Sequence, residues 1–230
     1  MIEIYAVKLP EKPDNAAIDK LISCLPEVKQ ARIKRFRHLN DSLRTLASEI
    51  LVRSVVQEKT HLKNEQLFFT VSKYGNPLLE NIEDLYFNSA HSGEWAVCAV
   101  DCEPIGVDIE RIRGIGFSIA ELQFSKEEYK DLMEKDENER LHYLYDLWTL
   151  KESYIKAVGK GLSIPLDSFT IRIDAGNITL ENSNDCTIYY FKQYSIDADY
   201  TLSVCASSRA FPADVVIKRF QDISNNILNN

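Results

Sequence analysis

Residues 105–110 read Ile-Gly-Val-Asp-Ile-Glu. On a strand, side chains two apart point the same way, so Ile105, Val107 and Ile109 share one face and Asp108 and Glu110 the other. Two carboxylates about 7 Å apart along an extended chain suit an oxygen-seeking divalent cation such as Mg²⁺. A half-exposed strand with ordinary outward acids gives the same pattern. Residues 148–156 read Trp-Thr-Leu-Lys-Glu-Ser-Tyr-Ile-Lys. Glu152 and Lys156 share a helix face at i and i+4. They are either a surface ion pair, or a third carboxylate for the cation with an ammonium one turn away for a phosphate. Mg²⁺ takes few carboxylates and completes its shell with substrate phosphates and water, which the second arrangement would suit, but taken alone the motif favours the surface pair. A third group is basic: Lys29, Arg32, Lys34, Arg35, Arg37 and Arg44 stand against Asp41 alone, a local +5 in a chain of net −8. That field recruits a polyanion, or else marks a solvated helix face. His91, flanked by small residues in Asn88-Ser89-Ala90-His91-Ser92-Gly93, is placed to donate to a phosphate oxygen or to serve structure alone.

The chain that must position these groups has 230 residues, 45% hydrophobic and 27% charged. Such values belong to a globular protein and exclude wholesale disorder and fibrous repeats. Its longest purely apolar run, Trp95 to Val100, is six residues, far short of the roughly 20 of a membrane span. The opening MIEIYAVKL lacks the basic and apolar regions of a signal peptide. Bulk acidity argues against nucleic acid as a partner, and against a nuclease built on a D-x-E…E metal set. Five cysteines (24, 98, 102, 186 and 205) are odd in number and lack zinc or disulfide spacing. Reduced thiols in a cytoplasmic protein are the expectation.

Alternation predicts strands over 2–7, 67–71, 85–89, 94–100, 104–110, 168–173, 186–194 and 199–206. Helical periodicity predicts helices over 15–24, 27–37, a longer one capped by Asp41 or Ser42, and 141–158, which Gly159 and Gly161 stop. Tyr74-Gly75-Asn76-Pro77 is a turn. Residues 114–124 are irregular or a short helix. Residues 126–140, eleven of fifteen charged, are expected to be solvated, and the Asn-rich end to fray. Thr45-Leu46-Ala47-Ser48-Glu49 with Gly75 to Pro77 is echoed by Thr149-Leu150-Lys151-Glu152-Ser153 with Gly161 to Pro165. The echo suggests an α+β fold of two similar halves meeting near residue 104.

Gly106-Val107-Asp108-Ile109-Glu110 followed by Trp148-x-x-Lys151-Glu152-Ser153-x-x-Lys156 resembles the two-part signature of the 4′-phosphopantetheinyl transferases. Length, His91-Ser92-Gly93 and Gly159-Lys160-Gly161-Leu162-Ser163 look like the Sfp/Gsp type, which accompanies nonribosomal peptide and polyketide synthetases. The likeness runs from the first strand to about residue 212. It implies a pseudo-dimer of two α+β halves, 1–104 and 105–212, with a C-terminal tail, 213–230. It also implies Mg²⁺-dependent transfer of the phosphopantetheine arm of coenzyme A to a serine of an apo peptidyl or acyl carrier protein, releasing 3′,5′-ADP, by a monomer. Carried over by position, Asp108, Glu110 and Glu152 would hold Mg²⁺, and His91 and Lys156 would bind the pyrophosphate, with Lys151 beside them. Lys29, Arg32, Arg44 and Thr45 would bind the 3′-phosphate. Tyr74, Gly75, Asn76 and Pro77 would form the turn beside the adenine. Glu152 or a metal-bound water is the candidate base, with Glu152, Lys156 and His91 catalytic. The chain departs from a close relative at Asn76, where Lys stands, at Ala90, where Ser stands, and at Arg32, where Lys stands. Ile115, Phe117, Ile119 and Leu122 are candidates to touch the carrier.

Overall fold

The computed structural model describes every residue except Asn81, Ala175, Ser183 to Asp185 and Asn230, and describes Leu162 without its side chain. The N-terminal half runs β1 (Glu3–Lys8), α1 (Asn15–Ser23), α2 (Glu27–Lys34), α3 (Leu39–Thr60), β2 (Phe69–Val71), β3 (Pro77–Leu79), β4 (Tyr86–Ser92) and β5 (Trp95–Asp101). The rest is β6 (Ile105–Arg111), α4 (Ser118–Gln123), α5 (Lys126–Glu134), α6 (Glu137–Val158), β7 (Thr170–Asp174), β8 (Asn177–Glu181), β9 (Tyr190–Tyr194), β10 (Tyr200–Ala206), β11 (Val216–Lys218) and α7 (Phe220–Leu228).

The main strands form two sheets, of order β11-β1-β5-β4 and β6-β10-β9. Alternation along β1 sends Tyr5 and Val7 into a core with α1, α3 and α7, and Ile2, Ile4 and Ala6 to the other face. There they meet Val107, Ile109, Leu202 and Val204 of the second sheet. The far face of that sheet is covered by α6, whose Leu147, Leu150, Tyr154 and Ile155 pack with Phe169, Ile171 and Cys205. The order is therefore helices, sheet, sheet, helix. Each half sets one 22-residue helix on a sheet, antiparallel throughout in the second half and antiparallel but for β11 in the first.

Gly106 lets α6 lie close on β6: a Cβ there would stand 2.0 Å from the Ser153 carbonyl oxygen. Gly159, at φ 75°, ends α6 in the left-handed region.

The structure corrects several expectations. The end of the chain is ordered through Asn229, with Asn230 outside the described residues. β11 pairs in parallel with β1, and α7 buries Ile223 and Ile227 against the first core. α3 starts at Leu39, before Asp41 and Ser42. Asp41 pairs with Arg44, and the Ser42 hydroxyl donates to the Ile33 carbonyl. The charged stretch 126–140 is not wholly solvated, because Glu128 is fully buried. β3 and β8 are additional strands, and 186–194 narrows to Tyr190–Tyr194.

Candidate active site

β6 presents Asp108 and Glu110 toward α6, one turn of which supplies Glu152 and Lys156. The Lys156 ammonium donates to Asp108 Oδ1 at 2.7 Å and to the Val107 carbonyl at 3.0 Å. Asp108 is 6% exposed, and its Oδ2 has no hydrogen-bond partner among the described residues. Glu110 accepts a bond of 2.6 Å from the Ser92 hydroxyl on β4.

The three carboxyls are all held above the usual carboxylate range. Burial is the largest cause for each. For Glu110 the charge of Asp108 adds to it, and for Glu152 the charges of both Asp108 and Glu110 do. Lys156 opposes the rise in all three. Mutually repelling, partly desolvated acids with an orphaned buried oxygen are the donor chemistry of a divalent cation. Among the described residues no group of three His, Cys, Asp or Glu side chains is arranged to enclose an ion. Asp108, Glu110 and Glu152 could hold a divalent cation only with water or phosphate oxygens completing its shell.

From this acidic end a cleft of about 390 Å³ runs into the N-terminal half. α2 contributes Lys29 and Arg32, and α3 contributes Thr45, Ser48 and Glu49. The β2–β3 hairpin adds Phe69, Val71, Gly75 and Pro77. β4 adds Ser89 and His91, and Asp108 and Lys156 close the end. His91 stays partly open to solvent, and partial desolvation lowers its pKa, with the charges of Arg44, Lys156 and Arg32 lowering it further. A neutral imidazole can both donate and accept. Arg44 stands beside the cleft, its guanidinium bonded to Asp41 and, at 3.3 Å, to the Gly93 carbonyl.

The fold therefore assembles Lys29, Arg32, Thr45, Gly75, Pro77, His91, Asp108 and Lys156 around one space, with Arg44, Glu110 and Glu152 adjoining. Three expected contacts are corrected. Lys151 is 0% exposed and points away from the cleft. Its ammonium donates to both Glu128 oxygens, at 2.5 and 2.7 Å, and to the Phe169 carbonyl at 2.8 Å. Asn76 and Tyr74 lie outside the cleft walls. The Asn76 amide bonds the Gly159 carbonyl, and the exposed Tyr74 ring carries the Lys73 ammonium at 4.8 Å.

Glu49 is a wall residue that the motifs did not bring forward. It takes the Lys29 ammonium at 2.8 Å and the buried Arg53 guanidinium at 3.0 Å. The i, i+4 spacing of Glu49 and Arg53 was its signal.

The cleft carries Lys29, Arg32 and Lys156, ends at Asp108 and draws its walls from both α+β halves, a lining suited to an anionic ligand. Comparison with known proteins narrows the class of protein. Residues 12–103 match the family model for the N-terminal part of 4'-phosphopantetheinyl transferases, and residues 104–205 match the 4'-phosphopantetheinyl transferase superfamily. The chain is 37% identical over 223 residues to the 4'-phosphopantetheinyl transferase Sfp of Bacillus subtilis (strain 168), covering 96% of this chain and 100% of that one. It is 38% identical over 221 residues to the transferase ffp of Bacillus subtilis, covering 96% and 99%. It is 40% identical over 171 residues to the transferase gsp of Aneurinibacillus migulanus, covering 74% and 71%. The chain belongs to the 4'-phosphopantetheinyl transferase family.

Proposed function

We propose that this transferase moves the 4′-phosphopantetheine arm of coenzyme A onto a serine of an apo peptidyl or acyl carrier protein, releasing 3′,5′-ADP. It thereby activates nonribosomal peptide or polyketide synthesis, acting as a cytoplasmic monomer. Among the described residues no helix is long and apolar enough to cross a membrane. The observation that carries the reading is the juxtaposition at Asp108: an orphaned buried carboxylate oxygen where the acids meet the cationic cleft.

Coenzyme A carries a 3′-phosphate and a pyrophosphate. Lys29 and Arg32, with Thr45 and Arg44, would bind the first, Gly75 and Pro77 would face the adenine, and His91 and Lys156 would bind the second. Asp108, Glu110 and Glu152 would hold Mg²⁺, which when bound supplies Lewis-acid stabilisation of charge on the phosphate oxygens. Lys156 holds a positive charge one bond from Asp108 and offsets the charge that builds as the pyrophosphate breaks. Glu152, one helical turn from Lys156, or a metal-bound water would take the serine proton. Carrier proteins are acidic and dock through an amphipathic helix. Ile115, Ile119 and Leu122 give an exposed apolar face to meet it, while Ala120 and Phe124 anchor the same segment inward. Charge reversal at Leu122, 76% exposed, should weaken the apparent affinity for the carrier and leave that for coenzyme A unchanged.

Intact-mass analysis of an apo peptidyl carrier protein, incubated with the transferase, coenzyme A and Mg²⁺, tests the reading. The expected result is a gain of one phosphopantetheine arm that a chelator abolishes. No gain on any peptidyl or acyl carrier, with coenzyme A still bound, refutes it in favour of a binding protein.

A further inference from the structure

The β2–β3 hairpin is built weakly for an element that walls a binding cleft. Its strands have three residues each; Thr70, Val71 and Leu78 are open to solvent, and the hairpin rests on the N-terminal core through Phe69, which meets the Phe87 ring at 5.6 Å, and Leu79. A two-stranded ribbon of this length is marginal by itself in water. Its tip is well made locally: the Ser72 hydroxyl accepts from the Tyr74 and Asn76 amides, and Gly75 takes φ 85°. None of those bonds holds the hairpin against the rest of the protein.

The Asn76 side chain does. Its amide donates across the seam to the carbonyl of Gly159, the residue that ends α6. The last carbonyls of a helix lack partners within it. Asn76 therefore caps the helix that carries Glu152 and Lys156 from the opposite half of the molecule. Its chain neighbours Gly75 and Pro77 face the cleft, while its own side chain faces away.

We propose that Asn76 is a positioning residue: its bond to Gly159 tethers the hairpin across the two halves and holds the nucleotide end of the cleft closed. The consequence for coenzyme A rests on the function proposed above, but the tether itself does not. One hydrogen bond of ordinary net strength changes an opening equilibrium about fivefold. By linkage, a ligand that needs the closed hairpin loses affinity by the same factor.

The test is hydrogen exchange on the ligand-free protein combined with calorimetric binding of coenzyme A. Asn76→Ala and the isosteric Asn76→Asp, which has no donor, should speed exchange of the Ser72, Gly75 and Glu80 amides about fivefold. These three amides make the hairpin's own bonds, of 2.8, 2.9 and 2.9 Å. Affinity for coenzyme A should fall by about the same factor, KM should rise to match, and kcat should hold within about twofold. Asn76→Lys, which keeps a donor, should restore slow exchange. Unchanged exchange in both donor-free variants overturns the tether. Faster exchange with unchanged affinity overturns the closure. If the wild type does not bind coenzyme A, the reading of the cleft fails, and the ligand-free exchange still decides the tether.

Discussion

Replacing Lys151 by Met separates two roles for the residue that sits between Leu150 and Glu152 in the helical motif. Resemblance places Lys151 beside the phosphates, whereas the fold buries it with Glu128. Met preserves the stem that lies against the Phe169 ring, where the ammonium is 4.1 Å from the centroid, and removes the charge. Glu128 is then left as a fully buried carboxylate with only the Ser125 and Ile171 amides to accept from. Losing one partner of such a pair costs about 3–5 kcal/mol, which for a chain of this length lowers the melting temperature on the order of 10 °C. Denaturant unfolding and the KM for coenzyme A are measured on the same preparation. The expected outcome is a large loss of stability with KM nearly unchanged in the folded fraction. Adding Glu128→Gln, which removes the stranded charge and keeps an acceptor, should recover part of the loss. Wild-type stability together with a tenfold rise in KM would mean that the ammonium serves the phosphates, and the burial argument would fail.

Gly106→Ala should destabilise by about 3 kcal/mol and lower turnover, read by thermal melts and the carrier assay, because the new Cβ meets immovable backbone of α6. Glu152→Gln should abolish turnover yet unfold at a higher temperature than the wild type without Mg²⁺. A carboxyl whose folded pKa is raised contributes stability below the ordinary carboxylate range and loses it as pH rises through the raised value. The gain should therefore be present near neutral pH and vanish toward about pH 4, and a difference independent of pH would count against the clustered acids. The double change Lys29→Ala with Arg32→Ala should raise the KM for coenzyme A about tenfold or more and leave 3′-dephospho-coenzyme A little affected. Equal losses would move the 3′-phosphate elsewhere.

The parts of the site legible in the sequence are those whose burial follows a period. β6 alternates strictly, so Asp108 and Glu110 fall on one face, and α6 carries apolar residues at three- and four-residue steps. Lys151 shows the limit of reading a motif as a string. Adjacent residues on a helix point about 100° apart, so Lys151 cannot face where Glu152 faces. It falls with Leu147 and Tyr154 on the core side, and a buried acid from α5 neutralises it. β8 carries the same alternation, Ile178 and Leu180 between exposed Asn177, Thr179 and Glu181, but over only five residues, the short end of a readable strand. The last strand and helix were hidden differently. Ile223 and Ile227 are spaced for a helix face, but the asparagines around them suggested fraying. The partner that buries them, α3, lies some 170 residues earlier in the chain.

The seam between the halves explains why the site lies where it does. β4 and β6 are the facing edges of two sheets and do not pair with each other as strands. An open edge leaves backbone donors and acceptors that must be satisfied or protected. Here side chains do it: the Val107 amide donates to Asn88 Oδ1 at 3.0 Å and the Arg111 amide to the Ser92 hydroxyl at 3.1 Å, while Lys156 takes the Val107 carbonyl. Two of these side chains also set the chemistry, since Ser92 donates to Glu110 and Lys156 to Asp108. Neither half keeps the arrangement alone: the first holds Lys29 and Arg32 and the second Asp108, Glu110 and Glu152, and the bond from Ser92 to Glu110 crosses the boundary. Loosening the seam should therefore cost stability and turnover together.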